Sequence, residues 1–188
     1  MRILVLDNYD SFTYNLVHIL RDLGHSPDVV RNDRITVAEA SAYDKLLLSP
    51  GPGLPADAGI MPELIRTCAP SHSIFGVCLG LQGIAEAFGG QLFNLPDVLH
   101  GVTSVMQVDS RDNRIFRGLP EKIRVTHYHS WAVHTDHVPP DMQVTARSGN
   151  TIMALSHKTF DVHGVQFHPE AVMTEYGAEM IANWLDKN

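Results

Sequence analysis

Cys78 is the residue in this sequence best placed to act as a nucleophile. It stands in Gly76-Val77-Cys78-Leu79-Gly80, where an apolar run gives way to an amphipathic one. A G-x-nucleophile-x-G segment at a strand-to-helix junction presents its middle side chain on a sharp turn. The glycines supply room where the turn leaves none for side chains. A helix that follows aims free amides and the positive end of its dipole at the thiol, which favours thiolate. The amide of Leu79 falls where an oxyanion would form. Taken alone, the segment fits a buried cysteine at an ordinary strand–helix turn equally well.

A cysteine nucleophile needs a base to take and return a proton, and the base needs an orienting group. Gly164-Val165-Gln166-Phe167-His168-Pro169-Glu170 offers both. His168 follows an apolar strand, and Pro169 restricts its backbone. Glu170 can accept from the second imidazole nitrogen and fix the tautomer. A lone histidine with a neighbouring glutamate is more often structural, but the two segments each supply what the other lacks. A third piece is Pro50-Gly51-Pro52-Gly53, a rigid loop whose available amides are those of Gly51, Gly53 and Leu54. Such a loop suits a second oxyanion donor, or a plain tight turn.

These groups work together only if the fold brings them to one edge. Ile3–Leu6, Pro27–Arg31, Lys45–Ser49, Ile74–Val77 and Val162–Phe167 read as strands, three of them with continuous apolar cores. Such runs suit strands buried on both faces of a parallel sheet. Phe12 to Leu23, Met61 to Cys68, Leu81 to Phe88 and Tyr176 to Leu185 have helical spacing. The alternation predicts an α/β domain with a mostly parallel central sheet flanked by helices. Ligands bind such sheets at the carboxyl ends of the strands, where Cys78, His168 and the loop at Gly51 would all lie. The stretch 91–153 breaks the pattern. Thr103–Val108, Ile123–His129 and Gln143–Ala146 predict antiparallel or mixed strands added to one side, with Pro139-Pro140 in a loop.

The chain has 188 residues, which suits a single domain spanning 1–188. Asp and Glu number 21 against 14 Lys and Arg, a formal net charge of −7. That balance argues against a nucleic-acid or anionic-membrane partner. Two cysteines, no apolar stretch long enough to span a bilayer and no signal-peptide pattern point to a cytoplasmic protein.

Cys78-Leu79-Gly80 with Gln82, Phe167-His168-Pro169-Glu170 and Pro50-Gly51-Pro52-Gly53 together resemble the class I (triad) glutamine amidotransferases. Asp7-Asn8-Tyr9-Asp10-Ser11-Phe12-Thr13-Tyr14-Asn15 is similar to the opening of the small subunits (component II) of anthranilate synthase and aminodeoxychorismate synthase. His100-Gly101 and Tyr128-His129-Ser130 fit the same subfamily, and the likeness runs from end to end in one register. The resemblance implies a flavodoxin-like α/β fold and hydrolysis of L-glutamine. Cys78 would form a γ-glutamyl thioester, His168 would shuttle the proton, and Glu170 would orient it. The amides of Leu79 and Gly53 would hold the oxyanion. Gly51, Pro52, Gly53, Gln82, Ser130 and Trp131 would bind glutamine. Ammonia would pass to a chorismate-binding synthase partner in a hetero-oligomer. No cofactor is implied for this chain, and magnesium is expected in the partner.

The sequence departs from the family pattern at Leu81, where His is common, and at Val102, where Lys is common. Trp131 replaces Leu and Ala171 replaces Ser. Leu81 and Val102 are expected near the partner surface. Other readings are an amidotransferase with a non-chorismate acceptor such as a nucleotide, a cysteine hydrolase or peptidase on the same fold, or a non-catalytic binding partner. His127, His129, His134 and His137 are close in sequence but lack a carboxylate at metal-ligand spacing, so no metal is assigned. Cys68 reads as packing, and 109–117, with charges of both signs, as a solvated loop.

Overall fold

The computed structural model describes residues 1–110 and 112–186. Arg111, within the mixed-charge stretch, lies outside the described residues, as do Lys187 and Asn188. In chain order the strands are β1 (Ile3–Asp7), β2 (Asp28–Arg31), β3 (Lys45–Leu48), β4 (Ser73–Val77), β5 (Leu92–Val108), β6 (Lys122–Val133), β7 (Met142–Ser148), β8 (Thr151–His157) and β9 (Val162–Val165). The helices are α1 (Thr13–Asp22), α2 (Val37–Ala40), α3 (Met61–Cys68), α4 (Leu79–Ala87) and α5 (Gly177–Leu185).

Among the described residues the strands form one sheet in the order β2-β1-β3-β4-β9-β8-β7-β5-β6. The first five are parallel, in the flavodoxin order, and the last four continue the sheet antiparallel. Side chains alternate between two buried layers, Ile3 and Val5 on one face, Leu4 and Leu6 on the other. Leu16, Val17 and Leu20 of α1 pack with Met180, Ile181 and Trp184 of α5 on the first face. Met61, Leu64 and Ile65 of α3 and Ile84 of α4 cover the second. The apolar runs read as doubly buried strands are therefore the sheet centre, as their lack of alternation requires.

The sequence reading differs from the structure in element bounds, in one strand and in one short helix, and β6 runs on to Val133 while β9 stops at Val165. Helix α4 starts at Leu79, two residues earlier than the spacing suggested. Strand β5 begins at Leu92, not Thr103. Its first part, Leu92 to Asn94, pairs with Trp131 to Val133, then the register shifts before Leu99 and again around Gly101. Pro96 and Gly101 mask the strand pattern, since bulges break the period of two. Strand β8 was not expected at all. Its Met153, Ala154 and Leu155 are poor strand formers, and pairing with β7 and β9 on either side overrides that preference. Finally, α2 is a short turn fixed by a capping box between Thr36 and Glu39.

Trp184 is fully buried and stacks on Phe75 of β4 with ring centroids 5.6 Å apart. Lys45 Nζ and Arg114 Nη2 both donate to its carbonyl oxygen, at 2.8 and 2.9 Å, closing the end of α5 on the sheet. Trp184→Ala is expected to lower the unfolding free energy by about 3–5 kcal/mol. Urea denaturation followed by far-UV circular dichroism reads this directly.

Candidate active site

Strand β4 ends at Val77 and α4 begins at Leu79, so Cys78 alone makes the connection. Its φ of 53° and ψ of −101° lie in a region that L-residues avoid. Neighbours hold the strain in place. The Cys78 amide donates to the Val165 carbonyl at 2.8 Å, and its carbonyl accepts from the Gln82 amide at 3.1 Å. The flanking glycines are required by close approach. A Cβ on Gly76 would stand 2.5 Å from the Gly80 carbonyl carbon, and one on Gly80 would stand 2.6 Å from the Leu48 carbonyl oxygen. Cys78 is the residue at the amino end of α4, whose first amides have no acceptor within the helix.

His168 follows β9, which lies beside β4 with Val165 opposite Val77. That parallel register carries both residues to one sheet edge. His168 Nδ1 donates to Glu170 Oε1 at 2.6 Å, in a setting where both residues are buried. The rings of Phe12 and Tyr128 pack against the imidazole at 5.8 and 5.1 Å. Its backbone amide donates to the Thr126 carbonyl. The remaining nitrogen, Nε2, makes no hydrogen bond of ordinary geometry with a described residue. Such bonds are commonly loose in ligand-free sites and tighten with substrate. The proton affinity of the ring is pushed up to about 10. Burial opposes the charge, but the interactions with Cys78 and Glu170 outweigh it.

In front of Cys78 lies a cavity of about 190 Å³. Gly51, Pro52, Gly53, Gln82, Ser130 and Trp131 line it, together with His100 and Tyr128. This is well below the ~300–1,000 Å³ of drug-sized pockets and suits one small amide better than a peptide. Gly53 has φ of +75°, the glycine-favouring conformation that turns the loop toward Cys78. Leu79 is buried and lines the neighbouring cavity with Asn8 and Pro52. A larger cavity, about 640 Å³, lies elsewhere, between Met1, Lys45, Ser73, Arg114 and Asp161. Its charged groups are already engaged, Arg114 forking onto Asp161 at 2.9 Å, so we place the chemistry at the smaller one.

The expected placement of Leu81 is overturned. Leu81 is fully buried and packs on Gly164, so it fills the α4–β9 contact rather than facing a partner. Val102 is 45% exposed. The paired histidines on β6 form a hydrogen-bonded chain. His129 Nδ1 donates to the Trp131 carbonyl at 2.9 Å, His127 Nδ1 and His129 Nε2 are 3.2 Å apart, and His127 Nε2 meets Ser104 Oγ at 2.7 Å. Among the described residues no group of three His, Cys, Asp or Glu is arranged to hold a metal.

Several contributors had no role in the sequence reading. Gln166 is fully buried with Nε2 3.6 Å from Cys78 Sγ, and Gln82 Nε2 donates to its Oε1 at 3.3 Å. Its position two residues before His168 was the available signal. Asn8 supports the loop, since its amide donates to Ser49 Oγ and its side chain to the Ser49 carbonyl, both at 2.8 Å. A Cβ on Gly51 would meet the Asn8 carbonyl oxygen at 2.5 Å. Asp7 Oδ1 accepts from the amide of Tyr9 and from Thr13 Oγ1, which sets the turn that delivers Phe12 to His168. The segment Asp7 to Asn15 is thus a brace for the site.

A strained thiol, an imidazole oriented by a carboxylate and a small cavity lined by a glycine-rich loop are parts that acyl transfer through cysteine requires. On a doubly wound sheet they fit the class of cysteine-dependent amide hydrolases. Residues 4–188 match the family described as Glutamine amidotransferase class-I, and the chain belongs to it. Anthranilate synthase component 2 of Pseudomonas putida is 44% identical over 193 residues, covering 98% of this chain and 96% of the relative. Aminodeoxychorismate synthase component 2 of Escherichia coli K12 is 43% identical over 188 residues, covering 98% and 100%. A crystal structure of a Thermoplasma acidophilum protein, assigned provisionally to GMP synthase, superposes with a TM-score of 0.88 at 29% identity, covering 98% of this chain and 92% of that one. No helix among the described residues is long and apolar enough to cross a membrane.

His127 and His129 are held at about 4, below their ordinary 6.5. Burial is the main cause for both, and the charge of His168 adds to it. The unfolded chain therefore binds more protons than the folded one between about 6.5 and 4, and stability falls as pH drops through that window. The expected loss is on the order of 2 kcal/mol per ring. Urea midpoints taken from about pH 7 to about pH 4.5 test it, and a flat profile would show that the pair is not kept neutral.

Proposed function

We propose that this chain hydrolyses L-glutamine at Cys78 and passes the ammonia to a chorismate-binding synthase partner. The observation that carries the hydrolytic reading is the buried His168–Glu170 pair set against Cys78 at the mouth of a cavity sized for one amino acid. Cys78 attacks the side-chain amide carbon, and the carbonyl electrons move onto oxygen, where the amides of Leu79 and Gly53 receive them. Collapse breaks the C–N bond. His168 delivers its proton to the leaving nitrogen, and a γ-glutamyl thioester remains. Water, deprotonated by His168, then releases glutamate and restores the thiolate–imidazolium pair. Glu170 keeps the imidazole in one tautomer throughout. Gly51, Pro52, Gln82, Ser130 and Trp131 hold the glutamine. Gln82 Nε2 also donates to the Trp131 carbonyl at 2.9 Å, which leaves Oε1 as its group for a ligand.

The partner reading rests on the relatives, named as component 2 of anthranilate synthase and of aminodeoxychorismate synthase, and on the surface beside the cavity. Val98 is exposed at its rim, Val102 is exposed further along the same strand, and Val172 and Met173 lie bare next to Glu170. Such apolar groups suit a covering protein. The two relatives are equally similar and do not choose between anthranilate and aminodeoxychorismate. This chain needs no cofactor of its own in this mechanism; magnesium belongs with chorismate on the partner. A cytoplasmic location follows from that assignment.

Recovering the chain with its partner from native lysate and supplying chorismate, glutamine and magnesium tests the whole reading. Anthranilate or aminodeoxychorismate should form, and Cys78→Ala should abolish the glutamine-dependent reaction while ammonia still supports it. Glutamine hydrolysis without either product would retain the hydrolytic reading and remove the chorismate one. A second expectation concerns the free chain. Partner contact commonly completes sites of this kind, so hydrolysis by the free chain should be at least about tenfold slower than in the complex. Equal rates, measured as glutamate release, would oppose it.

A further inference from the structure

We propose that Gln166 is a further catalytic residue, whose carboxamide donates to Cys78 Sγ and stabilises the thiolate expelled when the thioester is hydrolysed. The proposal rests on the hydrolytic reading above.

The direction of this contact follows from its neighbours. The Trp131 carbonyl can only accept, so the Gln82 atom 2.9 Å from it is the NH₂ nitrogen. That same nitrogen lies 3.3 Å from Gln166, so the facing atom of Gln166 is its oxygen. The other end of the carboxamide, 3.6 Å from Cys78 Sγ, is therefore the NH₂ group. A backbone carbonyl thus sets the orientation of two side-chain amides and aims an N–H at the reacting sulfur. Gln166 is fully buried, and its own backbone amide is tied to the Met153 carbonyl at 2.8 Å, which leaves the carboxamide little freedom. Packing alone would not require a polar group here, with Phe167 and Val165 buried on either side.

A donor to sulfur acts unequally on the two half-reactions. It strengthens as sulfur gains negative charge and weakens in the neutral thioester. During hydrolysis, water adds to the thioester carbon and its proton goes to His168. The C–S bond then breaks, and its electron pair moves onto Sγ, where the Gln166 N–H meets it. In the attack on glutamine the donor is less useful. Stabilising a thiolate lowers its intrinsic nucleophilicity and so offsets the larger thiolate fraction, whereas a stabilised leaving thiolate departs faster. The effect therefore falls on release of glutamate.

Gln166→Met keeps the volume and removes the donor. Gln166→Glu keeps the size and the acceptor toward Gln82 but turns a carboxyl oxygen to the sulfur. Both variants would be assayed as the full chain with its synthase partner, with chorismate present. The expected result for Gln166→Met is a fall of about tenfold in kcat for glutamine. KM should fall in parallel, leaving kcat/KM little changed. The γ-glutamyl enzyme should accumulate, seen by intact-protein mass spectrometry after an acid quench. Gln166→Glu should show the same pattern more strongly. An unchanged kcat, or a lower kcat/KM with no acyl-enzyme in either variant, would assign Gln166 to packing and overturn the proposal. Failure of the hydrolytic reading looks different, since the unaltered complex would then show no Cys78-dependent glutamate release.

Discussion

The pairing of β4 with β9 is the contact on which the site depends. The two strands run parallel with Gly76 opposite Gly164, and the Cys78 amide donates to the Val165 carbonyl. One ladder thereby brings the ends of both strands, and with them Cys78 and His168, to one edge of the sheet. The glycines at its centre serve the same end from the other side. With no side chain at Gly164 or Gly80, helix α4 can lie against β9 and β3, and its amino end arrives at the thiol. A rigid scaffold positions groups to within the tolerance that covalent catalysis demands.

Buried histidines of identical covalent structure carry opposite charge preferences here because their partners differ. His168 donates to a carboxylate and faces a sulfur, and it holds its proton. His127 and His129 bond to each other, to a carbonyl and to Ser104, and burial keeps both neutral. The charged ring raises the cost of a second positive charge nearby, so the two states support each other. The neutral pair then serves as a framework for the Trp131 carbonyl, which in turn anchors Gln82.

Much of this was legible in the residues. The apolar runs of β1, β3 and β4 could be recognised because burial on both faces removes alternation. Cys78, His168 and Glu170 could be singled out together because nucleophile, base and orienting group are a small chemical vocabulary with positional constraints, and the fold brings the three to one sheet edge. The antiparallel half was harder. Strand β8 is held by its neighbours rather than by its own composition, and β5 bends at residues that ordinarily end strands. Leu81 was misplaced because a helix beside the active site has a face turned inward as well as one turned out. Gln166 was overlooked because a glutamine's role depends on which way its amide points, and only the chain from Trp131 through Gln82 sets that.

The place of β9 in the sheet has a consequence for biosynthesis. It is the last of the described strands in chain order, yet it sits in the middle, between β4 and β8. A growing chain therefore carries two half-sheets with bare facing edges until residues 162–165 emerge and zip them together. Contacts of such long sequence separation form late and slowly. Until then His168, which follows β9, has no strand to hold it beside Cys78. The exposed edge of β4 is also the place where such a chain would pair wrongly with another. Closure of the sheet and assembly of the candidate site are thus one event, set by the pairing of β9 with β4.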